Sequence, residues 1–314
     1  MLVDIAAIIL GLIAVALAWP VPLVLAHAQW PSTAPALALA LWQSIALAGG
    51  ISMIGALLIA GLTPFGSTLM HRADGVAVHI FTGNLPQGVT LAHAFALSAA
   101  VLLMTHLILN LALTGYRSRR QRKAHMELLS LLSSPLVDVP RTRIIDHPAP
   151  AAYCLPGTPS VTVLSEGMVE LLSEEQLEAV IAHESAHLRQ KHHLLTDAFR
   201  AWRHSLPWFP IATRAEDAVG LLVEMLADDA AARTTSNSVL ADAIRIVDET
   251  GSAGRMVGAP RDPRTPEQRR TALIAREERL LLLHKPPVSP LVRALVVMSI
   301  VALALGPPIL IVTS

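Results

Sequence analysis

Long apolar stretches separated by polar segments dominate the pattern of this chain. Three of them lie near the N-terminus, at about residues 5–25, 37–62 and 91–113, and a fourth at about 291–312 follows a proline-rich break. A bilayer core about 30 Å thick is crossed by roughly 20 apolar residues in a helix. We therefore predict four transmembrane helices, in which occasional glycine and proline residues are tolerated.

The pattern between the third and fourth stretches is that of a folded domain in water. The segments "RTRIID", "AAYCL" and "SVTVL" predict short strands around a Pro-Gly turn. Apolar residues at helical spacing predict a helix in "LSEEQLEAVIAHESAHLRQKHH". Further helices are predicted at 125–133, at about 215–233, at about 238–249 and in "PEQRRTALIAREERLLLL". We expect the arginines of the last helix to form a solvated face.

Composition supports this division of the chain. Hydrophobic residues make up 53% of the 314 positions and charged residues 15%, which is too apolar for a soluble protein of this size. The single cysteine, Cys154, excludes an intrachain disulfide framework and a cysteine-rich zinc site. We predict three transmembrane helices in 1–115, a soluble domain in 116–287 and a fourth transmembrane helix in 288–314.

Basic residues predict the orientation in the cell membrane. The run "YRSRRQRK" directly follows the third span, and Lys285 and Arg293 flank the fourth, whereas Arg72 is alone between spans two and three. Basic residues concentrate on the cytoplasmic side, so the soluble domain is predicted to be cytoplasmic and both termini extracytoplasmic. The basic run is then a topology signal, and no direct nucleic-acid binding is expected. The first span lacks a basic n-region, so we expect it to stay uncleaved.

Three polar residues, His93, His106 and Asn110, fall within the third span. Polar groups are costly in a bilayer and often functional. Hydrogen bonding between helices is the interpretation we favour over a ligand or proton-relay role.

The segment "HESAHLRQKHH" at 183–193 carries the candidate chemistry. Ser173, with Gln176 three residues later, predicts the start of a helix through a capping box. His183 and His187 are four residues apart and share one helix face, so both imidazoles can reach one zinc ion. Glu184 lies beside them, where it can take a proton from a zinc-activated water.

The third ligand has two candidates. His193 stands at the last position of H-E-x-x-H-x-x-G-x-x-H, but Gln190 replaces the glycine at which that helix would turn. We therefore expect the helix to continue and both His192 and His193 to be bystanders. Glu224, set among leucines and valine, is the better third ligand. Asp228, four residues further on, suits the outer N–H of a ligand histidine, and Asp229 suits it less well.

"AVIAHESAHLRQKHH" followed by "EMLADDAA" resembles the gluzincin pattern H-E-x-x-H…E-x-x-x-D. With three spans before the motif and one after it, the chain resembles the M56 family of membrane metallopeptidases, the BlaR/MecR-like antibiotic-sensing regulators. The M48 group, which includes the HtpX heat-shock proteases, shares the zinc motifs but usually places two spans before them. The implied fold is mainly α: a four-span membrane protein with a small α+β gluzincin-like domain inserted between spans three and four.

The resemblance implies a zinc endopeptidase that binds one Zn²⁺ through His183, His187 and Glu224, with Glu184 as general base. Its expected partners are the lipid bilayer and a protein substrate, either a cytoplasmic winged-helix repressor or the protein itself; a homodimer is left open. Because the chain stops at Ser314, we expect no penicillin-binding sensor domain and a signal that enters through the spans, their outer loop or a partner. "SVTVL" is the expected edge strand for an extended substrate.

Two alternatives stay open at this stage. The first is an M48-like protease that degrades damaged membrane proteins. The second is a non-proteolytic membrane receptor with a structural metal site, although Glu184 would have no role in such a site.

Overall fold

The computed structural model describes residues 2–66, 69–82, 86–136, 141–157, 159–206, 210–251, 265–281 and 288–314. The first helices are α1 (Leu2–Ala18), α2 (Pro20–His27), α3 (Pro35–Leu62), α4 (Leu69–Thr82) and α5 (Leu91–Leu132). Four strands follow: β1 (Ser133–Pro135), β2 (Thr142–Ile145), β3 (Ala152–Leu155) and β4 (Val161–Ser165). The remaining helices are α6 (Glu166–Leu171), α7 (Glu174–Arg189), α8 (His192–Ser205), α9 (Pro210–Ala231), α10 (Asn237–Gly251), α11 (Pro266–Leu281) and α12 (Pro290–Thr313).

Four helical segments within the described part are long and apolar enough to cross a membrane, as predicted. They are Ile5–His27, Pro35–Phe65, Leu91–Leu132 and Pro290–Thr313. The first contains a break at Trp19, where α1 ends and α2 begins with Pro20. Proline is accommodated in the first turn of a helix because the N–H that it lacks would have no partner there. One predicted span is therefore built from two helices.

The third span does not end where the apolar pattern ends. We predicted a span at 91–113 and a separate short helix at 125–133, but α5 is one helix of 42 residues. The connecting segment contains Gly115 and no proline, and a single glycine in a helix costs only about 1 kcal/mol. Leu129 is buried against the sheet residues Tyr153 and Val163. The third candidate span thus continues directly into the part of the molecule that contains the sheet.

The three predicted strands are present, and β1 was not predicted. β2 pairs in parallel with β4, while β1 and β3 pair antiparallel with β2 and β4, respectively. The order is β1-β2-β4-β3. All five residues of β4 are buried, which agrees with its central place in the sheet. β3 is an edge strand, and α7 packs beside it.

The largest hydrophobic cluster joins the membrane helices to α9. From the membrane side it includes Trp42 and Ile45, and from α9 it includes Val219, Leu222 and Val223. Residues 219, 222 and 223 occupy one face of a helix that also carries Glu224 and Asp228. The helix that carries the predicted third ligand is therefore packed directly on the spans.

The two ends of the membrane helices have different surroundings. Near the start of α3, the carbonyl of Ser32 accepts a hydrogen bond of 2.7 Å from Arg279 of α11. At the other end, Arg72 of α4 donates to the carbonyl of Ser314 over 3.1 Å. The connection between the first two candidate spans thus lies at the same end as α11, and α4 lies with Ser314 at the other end.

Candidate metal centre

Helix α7 begins at the predicted capping box and carries the histidine motif. The Ser173 hydroxyl accepts from the Gln176 N–H at 3.3 Å, and the Gln176 side chain accepts from the Ser173 N–H at 3.1 Å. Such reciprocal bonds satisfy two N–H groups that a helix start leaves without partners. The cap fixes the first turn of the helix that presents His183, Glu184 and His187.

Three candidate ligands converge between α7 and α9. The Nε2 atoms of His183 and His187 lie 3.1 Å apart. The carboxylate of Glu224 approaches them, with Oε2 at 3.4 Å from His183 and Oε1 at 3.7 Å from His187. One ligand atom from each residue lies within 4.8 Å of the other two. The structure therefore brings together the three residues that the sequence singled out.

Asp228 contacts Nδ1 of His183, the ring nitrogen that points away from the other two candidate ligands. Its Oδ1 lies 2.9 Å from His183 Nδ1, and its side chain is 1% exposed. A carboxylate at this position fixes the imidazole tautomer and ring orientation, which leaves Nε2 free for a cation. This is the placement expected for Asp228 from its spacing of four residues after Glu224.

The turn after α7 differs from our expectation. We expected the helix to continue through Gln190, but it ends at Arg189, and Lys191 adopts the left-handed region with φ 52°. A non-glycine residue can occupy this region at a moderate cost. The turn buries His192 and brings its Nδ1 to 3.0 Å from Nδ1 of His187. The expectation that His192 is a bystander was therefore wrong.

Arg276 of α11 is a member of the site that sequence reasoning missed. Its Nε and Nη2 donate to Asp228 Oδ2 and Oδ1 at 2.8 and 2.7 Å. Its Nη1 lies 3.2 Å from Glu224 Oε2. We had expected the arginines of this helix to be solvated. The spacing of apolar residues on this helix could have indicated that Arg276 is buried. Ala272 and Leu280, four residues before and after it, are buried and lie on the same helix face.

Glu184 stands beside the cluster in an environment that suits a base. Burial raises the pKa of its carboxyl to about 7, with a further upward contribution from Glu224 and opposing ones from His183 and Arg276. A general base works best when its pKa lies near the working pH. The surroundings of Glu184 thus bring the pKa of its carboxyl close to neutrality.

The pKa values of the surrounding groups follow from the same contacts. Burial alone would raise the pKa of Glu224, but Arg276 and the two histidines hold it well below its usual range. Burial also opposes ionisation of Asp228, yet Arg276 and His183 lower its pKa to about 2. For His183, burial is outweighed by Asp228 and Glu224, which raise the pKa to about 9. Burial lowers the pKa of His187 to about 4.

The donor set fits a divalent metal such as zinc. Two imidazole nitrogens and one carboxylate are the protein ligands of one type of catalytic zinc site, in which the fourth position stays open. The negative charge of Glu184, Glu224 and Asp228 is faced by the single guanidinium of Arg276. The carboxylates of this cluster outnumber its guanidinium, which favours a cation bound at the imidazole nitrogens.

A cavity of about 310 Å³ opens onto the cluster. Its lining includes His183, Glu184 and Glu224, together with Ala152 of the edge strand. We expected "SVTVL" to be the edge strand for substrate, but those residues form β4, which has a partner on both sides. That expectation was wrong, because strand order depends on long-range pairing. The edge strand next to the cavity is β3.

The other polar residues that we considered lie outside the cluster. His193 is half-buried on α8 and is not among the three converging ligand candidates. Asp229 pairs with Arg279 of α11. In the third span, Nε2 of His106 lies 3.0 Å from the carbonyl oxygen of Ser205 on α8. This contact agrees with hydrogen bonding between helices.

Comparison with known proteins gives one match. Residues 118–218 match the model of peptidase family M48, one of the two families whose motifs the sequence resembles. The matched segment includes the histidine motif and stops before Glu224. No curated protein and no solved structure matches the chain. Together with the four apolar helices, the match indicates a membrane protein with a metallopeptidase domain, that is, a hydrolase of peptide bonds.

Proposed function

We propose that this protein is an integral membrane zinc endopeptidase. The observation that carries the proposal is the convergence of His183, His187 and Glu224, with Glu184 in the same cavity. A purely structural metal site has no use for a half-buried glutamate beside the ligands whose pKa is raised to about 7. The match to a peptidase family supports hydrolysis as the chemistry.

Each residue has a defined role in this proposal. His183, His187 and Glu224 would hold one zinc ion, which when bound would supply an acidified water and polarise the peptide carbonyl. Glu184 takes the proton from the attacking water and returns it to the departing amine, as its pKa near neutrality permits. Asp228 keeps His183 in the tautomer that exposes Nε2.

The edge strand β3 is the proposed docking position for the peptide. An extended segment that adds to an exposed sheet edge gains main-chain hydrogen bonds without any sequence requirement. Ala152 of β3 and Glu184 of α7 line the same cavity. A peptide paired with β3 would therefore pass beside the general base.

The location of the centre favours substrates at the membrane surface. α9 packs on the spans through Val219, Leu222 and Val223 and presents Glu224 to the cluster. The basic run after the third span supports a cytoplasmic soluble domain with extracytoplasmic termini. In this orientation the protease acts on cytoplasmic segments of proteins in or near the bilayer.

Two biological roles are compatible with this chemistry. The match to family M48 favours quality control, in which damaged membrane proteins are degraded. The three candidate spans before the motif favour the regulatory role of the M56-like group, in which the substrate is a winged-helix repressor or the protease itself. A homodimer is compatible with either role.

The proposal is tested with the full chain in liposomes and three added substrates. We expect cleavage of at least one of an unfolded protein, a membrane protein and a winged-helix repressor, with loss on chelation and recovery on zinc addition. Degradation of the first two supports quality control, whereas a single cut in the repressor supports regulation. Cleavage that persists after the metal is removed contradicts the proposal.

A further inference from the structure

The guanidinium of Arg276 occupies the space between the two carboxylates that shape the metal centre. Two of its nitrogens bind Asp228 side-on, and the third faces Glu224. The side chains of Arg276 and Asp228 are 14% and 1% exposed. Charged groups this deeply buried are costly unless they are paired in good geometry. The pairing observed here satisfies Asp228 and reaches Glu224 at the same time.

We propose that Arg276 is a positioning residue for the metal centre, which sets the orientation of Glu224 and of the Asp228–His183 pair. This inference rests on the proposed zinc site and adds α11 to the elements that build it. Asp228 Oδ1 is shared between Arg276 Nη2 at 2.7 Å and His183 Nδ1 at 2.9 Å. Because Arg276 holds Asp228 in place, it also holds the ring of His183.

The shape of the arginine side chain matters as well as its charge. A guanidinium is planar and offers several N–H donors in a fixed fork, whereas a lysine ammonium is a single point charge. One ammonium cannot occupy the Nε, Nη1 and Nη2 positions that contact the two carboxylates. A lysine at position 276 would therefore preserve charge but lose one of the two orientations.

Arg279 provides a matched control one turn further along α11. It too pairs with an α9 aspartate, Asp229, and its side chain is 15% exposed compared with 14% for Arg276. It also donates to the carbonyls of Ser32 and Met225. Both arginines thus join α11 to α9, but the described contacts of Arg279 include none of the converging ligand candidates.

The experiment compares purified wild type with Arg276→Met, Arg276→Lys and Arg279→Met. Zinc affinity is measured by competition with a chromophoric chelator, and the ligand geometry by the absorption spectrum of the Co²⁺-substituted protein. Outer partners of metal ligands typically contribute about 10- to 100-fold to metal affinity. We expect Arg276→Met to weaken zinc binding by roughly this factor and to alter the Co²⁺ spectrum. Arg276→Lys should fall between it and wild type, and Arg279→Met should remain close to wild type.

Several results would overturn the inference. Unchanged zinc affinity and Co²⁺ spectrum in Arg276→Met would show that the site is formed without the guanidinium. Equal losses in Arg276→Met and Arg279→Met would show that only the α9–α11 contact matters. If Arg276→Met does not fold, Arg276→Lys decides, and wild-type affinity in that variant contradicts the proposal. Failure of the wild type to cleave peptides would instead contradict the proposed function, and the order of zinc affinities would be unaffected.

Discussion

The Nδ1 atoms of His187 and His192 lie 3.0 Å apart, and Nε2 of His192 lies 3.1 Å from the Gln190 side-chain oxygen. One set of tautomers, assigned from this network, satisfies both of these contacts. His187 donates from Nδ1 to His192, which donates from Nε2 to Gln190, and this leaves Nε2 of His187 free for a cation. His192 thus contacts Nδ1 of His187 and orients its ring, as Asp228 does for His183.

This chain of contacts predicts different effects for two neighbouring histidines. His192→Ala should weaken zinc binding by roughly 10-fold or more, since it removes the group that orients His187. His193→Ala should leave zinc affinity close to wild type. Both are measured by chelator competition on the purified full chain. Equal affinities for the two variants would show that the His187–His192 contact does not orient the ligand.

Glu224 is predicted to be the third zinc ligand. Glu224→Ala should lower zinc affinity by more than roughly 100-fold, because it removes a direct ligand rather than an outer partner. The zinc content of the dialysed protein, measured by atomic spectroscopy, checks this expectation. The assignment is wrong if Glu224→Ala retains zinc and His193→Ala loses it.

Cys154 is predicted to be an unreactive thiol. Its Sγ donates to the Glu184 carbonyl at 2.9 Å, and burial raises its pKa to about 12. Because the thiolate is the reactive form, raising the pKa lowers reactivity at every pH below about 12. At pH 8, alkylation of the native protein should be roughly a thousandfold slower than that of the denatured chain. The Cys154→Ser variant measures background labelling at groups other than the thiol, since the chain has a single cysteine. Equally fast labelling of native and denatured protein would contradict the half-buried position of Cys154 and its contact with the Glu184 carbonyl.

The contact between the second and third candidate spans predicts that Gly61 cannot be replaced by a larger residue without loss of stability. A Cβ on Gly61 would lie 2.7 Å from the backbone N of Leu97, whereas a Cβ on Gly50 of the same helix would meet nothing within 4 Å. Overpacking typically costs about 1–3 kcal/mol, so Gly61→Ala should lower the thermal midpoint in detergent. Gly50→Ala should leave the midpoint unchanged or slightly raised, because alanine favours the helix. Identical midpoints for the two variants would argue against this helix contact.

Much of the candidate site follows from local spacing. His183 and His187 share a face because they are four residues apart, and the same spacing relates Glu224 to Asp228. The start of α7 follows from a capping box that needs only Ser173 and Gln176. These features depend on residues within one or two helical turns, so the sequence alone predicts them.

The features that sequence reasoning missed depend on contacts between distant segments. Arg276 follows Asp228 by 48 residues, and only the packing of α11 on α9 brings them together. The position of His192 depends on the left-handed conformation of Lys191. Glycine is the usual sequence signal for this conformation, and position 191 is a lysine. The edge position of β3 follows from a strand order that local patterns do not encode.

The role of Glu184 is the central claim, and a single substitution tests it most directly. Glu184→Gln keeps the size of the side chain and removes its basicity, and Glu184 is not among the three candidate ligands. We predict that this variant binds zinc as the wild type does, while cleavage of an added protein substrate falls by roughly 100- to 10,000-fold. Cleavage by Glu184→Gln at the wild-type rate, with zinc bound, would contradict the account.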